Sequence, residues 1–177
     1  MSRPQSRSEV PWSKRREIPD RQITDAADQY AEACQLLLAQ PNGVLLPLIN
    51  SAAHSIELYL KSLSAERIYT TDITMPEASV VTAYPSVVDH QFKPLFNAIP
   101  DDVRMMLIKA YDAKLRFELN EDFLVALERF DGAFSASRYP FEPDVNVSEF
   151  DLQSLVYMAK FMREFVHSLP PREQITW

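Results

Sequence analysis

The chain has 177 residues, of which 46% are apolar and 11% aromatic, enough for one hydrophobic core and no more than one domain. Only two glycines occur, Gly43 and Gly132, which excludes glycine-rich phosphate loops and the dinucleotide fingerprint. The net charge of −7 is unevenly spread: residues 1–21 hold six basic against three acidic side chains, so the remainder carries −10 and repels polyanions at long range unless a local patch reverses the sign.

From Met1 to about Pro19, Ser, Pro and Arg predominate, and residues 1–20 are expected to be a basic leader with little fixed structure. The helical domain is then expected over 21–177. A first helix should begin near Thr24, with its hydroxyl as cap and Asp25 in the first turn, and stop before Pro41, where Asn42-Gly43 makes a turn. Cys34 lies within an apolar stretch of this helix and reads as a small buried hydrophobe.

A second helix is expected from near Pro47 to about Glu66, because Ile49, Ala53, Ile56, Leu60 and Leu63 form a buried stripe. On another side, Asn50, His54, Glu57 and Lys61 fall within about 60° of arc. That face is either solvated surface or a site. Between Ile68 and Val88 the pattern predicts a long irregular connection, with room for a short extended piece.

Pro94 and Pro100 bracket a short helical turn, and Asp101-Asp102 open a third main helix with Val103, Leu107 and Tyr111 facing inward. Phe123, Leu127, Phe130 and Phe134 predict a fourth helix that ends near Arg138, before Pro140. Along that helix Asp131 lies two turns before Arg138 on nearly the same bearing, which suggests an ion pair or a ligand site at Arg138. The last helix is expected from a Ser148 cap to Ser168, before Pro170-Pro171. The fold expected is an all-α, up-and-down bundle of about five helices, with the irregular connection between the second and third.

Candidate chemistry is sparse. Glu164 and His167 have the spacing found at helical di-iron sites, but no second copy exists, and no His-x-x-x-His or Cys-x-x-Cys pattern occurs, so neither a metal nor a cofactor is expected. The acidic pairs Glu121-Asp122 and Asp101-Asp102 stand at helix starts, where the dipole accounts for them. On the last helix Lys160, Arg163 and His167 share one side, and a basic cluster with an imidazole can hold a phosphodiester and move a proton. No apolar run reaches membrane-spanning or signal-peptide length, and the single cysteine excludes an internal disulfide, so a cytoplasmic protein with no membrane contact is expected.

Three stretches, S-x-E-L-Y-L-K-S-L in the second helix, H-Q-F-K-P-L-F-N-A-I-P after the connection, and F-x-x-x-R-Y-P closing the fourth helix, together resemble the HEPN superfamily of small helical domains over about residues 23–168. The resemblance implies a four- or five-helix bundle, frequent homodimers, and roles in prokaryotic defence, toxin–antitoxin pairs or RNA processing. Many such proteins are metal-independent ribonucleases with an Arg, four to six residues, then a His. Here Arg163 is followed by three residues before His167, and Glu164 replaces the polar residue usual after the Arg.

The expectation is therefore a dimeric binding or regulatory module associated with RNA or a nucleotide. Its ligand or phosphate contacts would come from Lys160, His54, Glu57, Lys61 and Arg138. The alternatives are a metal-independent ribonuclease with Arg163 as phosphate clamp and His167 as acid/base, and a domain that binds only a partner protein.

Overall fold

The computed structural model describes residues 12–40, 44–71, 79–84, 90–143 and 145–176. Apolar side chains at helical spacing dictate most of what is seen: an all-α bundle, with a small antiparallel sheet outside its core. The first two helices, α1 (Arg21–Leu38) and α2 (Leu45–Ser62), are neighbours along the chain and in space, and Ile49, Ala53, Ile56, Leu60 and Leu63 are wholly buried.

The helix α3 (Phe92–Asn97) is the short turn between the prolines, and α4 (Asp101–Lys114) follows with Val103, Leu107 and Tyr111 buried as expected. A single turn, α5 (Arg116–Leu119), leads to α6 (Phe123–Arg129) and α7 (Ala133–Arg138). The final helix is α8 (Leu152–Ser168). Tyr111, Phe123 and Phe161 meet edge to face, with centroids 5.1 to 6.5 Å apart, and join α4, α6 and α8.

Several expectations are corrected. Within the supposed unstructured leader, Trp12–Ile18 forms strand β1; Met1–Pro11 lies outside the described residues. The supposed irregular connection contains β2 (Glu66–Thr71) and β3 (Ser79–Tyr84), paired antiparallel with Glu66 opposite Tyr84. With β4 (Arg172–Thr176) the sheet order is β3-β2-β1-β4. The strand β1 is stabilised by backbone pairing to β2 on one side and β4 on the other, partners distant in sequence that no local composition reveals. Among the described side chains of the sheet, only Ile18 enters the core.

Helix starts also differ. Asp20 rather than Thr24 caps α1, accepting from the Ile23 amide at 3.1 Å, while the Thr24 hydroxyl donates to the Asp20 carbonyl. Fully buried, Asp20 also accepts Arg67 Nε and Nη2 at 2.5 and 2.7 Å, a bidentate pair that fastens β2 to the start of α1. Ser148 belongs to a 3₁₀ turn over Val147–Glu149, and Asp151 caps α8 through the Gln153 and Ser154 amides. The expected fourth helix is two helices, because the chain turns at Gly132 with φ of 84°, a left-handed conformation open to glycine. The turn at Asn42-Gly43 lies outside the described residues.

Candidate functional site

The break at Gly132 sets α7 across the first half of α2 and creates an open cleft of about 690 Å³. Tyr30 of α1, Leu46, Pro47, Asn50 and His54 of α2, Phe134, Ser137 and Arg138 of α7, and His90 line it. The polar face of α2 is therefore an inner wall rather than a solvated surface. Asn50 Nδ2 donates to Ser137 Oγ at 3.2 Å and ties the two helices together. The Ser137 hydroxyl in turn donates to the Phe134 carbonyl at 2.9 Å.

Aromatic rings fix the imidazoles. His54 and Tyr30 meet edge to face with centroids 4.4 Å apart, His54 stacks on Phe134 at 4.8 Å, and His90 stacks on the same Phe134 at 5.5 Å. Behind both lies Glu57, whose side chain is only 1% exposed. Its Oε1 accepts Lys61 Nζ at 2.5 Å and faces His90 Nδ1 at 3.0 Å. Its Oε2 faces His54 Nδ1 at 3.6 Å, beyond hydrogen-bond length, and both of those atoms are buried without a hydrogen-bond partner.

Burial alone would raise the Glu57 pKa. The opposing pull of His54, of Lys61 with its positive charge, and of His90 outweighs it and holds the carboxyl down to about 2. A charged carboxylate this deep is tolerable because Lys61 neutralises it.

Arg138 stands at the exposed rim with its guanidinium over the Phe134 ring at 5.3 Å and the Tyr139 ring at 5.6 Å. The ion pair expected between Arg138 and Asp131 is not formed. Asp131 precedes the helix break, so the two no longer share a helix, and its carboxylate accepts the Phe92 amide at 2.6 Å. Among the described residues Arg138 has no ion-pair partner, which leaves its charge available at the cleft mouth.

Arg163 and His167 are brought together elsewhere, on Asp28 of α1. His167 Nε2 lies 2.9 Å from both Asp28 oxygens and Arg163 Nε 3.3 Å from one of them, while the buried Tyr59 hydroxyl donates to Asp28 at 2.7 Å. The carboxylate thus links α1, α2 and α8. Lys160 is exposed and lines two grooves flanking α8, one with Lys114 and Glu164 and one with Cys34 and Arg163. Glu164 pairs with Lys114. Burial pushes the Cys34 thiol up to about 11, as suits an inert core residue.

Sequence reasoning places Asn50, His54, Glu57 and Lys61 on one face of α2 and Arg138 separately on the fourth helix; the structure brings Arg138 to the same cleft and keeps Lys160, Arg163 and His167 apart from it. Sequence reasoning misses Tyr30, Phe134 and Ser137, whose role depends on the break between α6 and α7. His90 is visible in the sequence as one of three imidazoles and as the first residue of the H-Q-F-K-P-L-F stretch, with nothing local to place it beside α2. Among the described residues no group of three or more His, Cys, Asp or Glu side chains is arranged to hold a metal ion, and no helix is long and apolar enough to cross a membrane. No protein-family model matches the chain, and comparison with curated proteins and with solved structures returned no match.

Proposed function

We propose that this chain is a HEPN-like binding or regulatory module of the cytoplasm that works as a homodimer and takes a nucleotide or a nucleic-acid segment into the cleft between α2 and α7. The observation that carries the reading is the joining, in one open cleft, of the Arg138 guanidinium, the His54 and His90 imidazoles and the aromatic walls Tyr30 and Phe134. The guanidinium suits phosphate, and the exposed Tyr30 ring suits a base. The rest of the body is acidic, so this is a local exception to its field.

Binding is favoured over cleavage. Arg163 and His167, the pair a ribonuclease would use, are both engaged by Asp28, and a carboxylate between them opposes an approaching phosphate as Glu164 does. Calorimetric titration with a mononucleotide and with a short single-stranded RNA, in EDTA, tests the proposal. Arg138→Ala is expected to weaken binding by about tenfold or more through loss of a charge-assisted contact, while His167→Ala leaves it unchanged. Absence of binding by the parent protein would refute the proposal and leave a protein-interaction role.

A further inference from the structure

If the cleft takes a nucleotide, as proposed above, its hydrogen-bonding polarity selects the kind. The Ser137 hydroxyl spends its proton on the Phe134 carbonyl, so Ser137 Oγ can only accept from Asn50. Asn50 must therefore present its amide nitrogen to Ser137, and its Oδ1 remains as an acceptor. His54 reaches the same outcome by a different route. Its Nδ1 faces the buried Glu57 Oε2, and neither atom has another partner. A lone pair on Nδ1 would face the lone pairs of a carboxylate away from water, so the proton resides on Nδ1. In the neutral imidazole Nε2, the other nitrogen of the ring that lines the cleft, then carries the lone pair.

The inner wall accordingly offers two acceptors, His54 Nε2 and Asn50 Oδ1, four residues apart on one face of α2. The rim offers a cation, Arg138. A ligand that matches must be anionic at one end and carry hydroxyl donors at the other. The volume of about 690 Å³ falls in the range of small-molecule sites and suits one nucleotide rather than a polymer. Long-range repulsion from an acidic body also grows with the number of phosphates brought near.

We infer that the cleft is a 5′-ribonucleotide site, in which Arg138 holds the phosphate and His54 and Asn50 accept from the ribose hydroxyls, so that His54 determines the preference for ribose over deoxyribose. A site built to pair with a hydroxyl leaves a buried acceptor unmatched when that hydroxyl is missing, and discriminates strongly for that reason.

The test is a calorimetric comparison of adenosine 5′-monophosphate, its 2′-deoxy analogue and ribose 5-phosphate, on the full chain and on His54→Phe, Asn50→Ala and Arg138→Ala. The parent should prefer the ribonucleotide by about tenfold or more. His54→Phe keeps a ring on Phe134 but has no acceptor, and should bring the two nucleotides to equal affinity. Asn50→Ala leaves both cleft histidines in place and should narrow the gap, whereas Arg138→Ala should weaken both nucleotides alike. Thermal melts of each variant confirm folding; if His54→Phe fails to fold, the Asn50→Ala result decides. Equal affinities in the parent, or a preference undiminished in the folded variants, would overturn the inference while leaving nucleotide binding intact. Ribose 5-phosphate binding as tightly as the ribonucleotide would overturn the nucleotide assignment in favour of a plain sugar phosphate. Failure of all three to bind would defeat the parent reading and this one together.

Discussion

Ile56→Asp is expected to abolish cooperative folding. Ile56 is wholly buried within α2, the helix that packs against α1, α7 and α8. The substitution removes about 2 to 3 kcal/mol of apolar burial and places a carboxylate where no cation awaits it, an added cost of several kcal/mol. Together these exceed about 5 kcal/mol, comparable to the whole stability of a domain of this size. Far-ultraviolet circular dichroism should show no sigmoidal melt, while Ile56→Val loses only about 1 kcal/mol. An Ile56→Asp protein that melts like its parent would contradict the packing of α2.

Acid should weaken the fold through Glu57 within a defined window. Its carboxyl has a pKa near 4.5 in the unfolded chain and about 2 in the folded one. Below both values the native and unfolded states bind the same proton and the residue contributes nothing. Above about 4.5 its contribution is complete, and it is lost as pH falls from about 4.5 through about 2. A shift of this size corresponds to roughly 3 kcal/mol. Glu57→Gln cannot titrate, and the other carboxylates are common to both proteins. The difference in urea-unfolding free energy between the parent and Glu57→Gln should therefore shrink by that amount between pH 5 and pH 2. A difference that stays constant over this interval would show that the Glu57 carboxylate is not held by His54, Lys61 and His90.

The two predictions rest on parts of the chain that were legible to different degrees. The buried stripe of α2 and the inward Val103, Leu107 and Tyr111 of α4 follow from periodicity, which is local and survives into the structure almost residue for residue. The sheet does not. The strand β1 has a charged, leader-like composition, and only its pairing with β2 and β4 makes it a strand. The site falls between these cases. Asn50, His54, Glu57 and Lys61 could be placed on one face of one helix from spacing alone, but whether that face met water depended on where α7 lies. That was decided by Gly132, one residue in an otherwise continuous helical pattern. The same break separated Asp131 from Arg138 and freed the arginine for the cleft. Conversely, Arg163 and His167 looked like a catalytic pair because nothing local announces that Asp28, far away in sequence, engages both.

The chain has three histidines, two in the cleft and one on Asp28, so its imidazole carbon–proton NMR spectrum reports on both sites at once. Adding adenosine 5′-monophosphate to the uniformly labelled protein at neutral pH should move the His54 and His90 signals and leave His167 in place. Movement of His167 alone, or of none of the three, would contradict the assignment of the cleft as the working site.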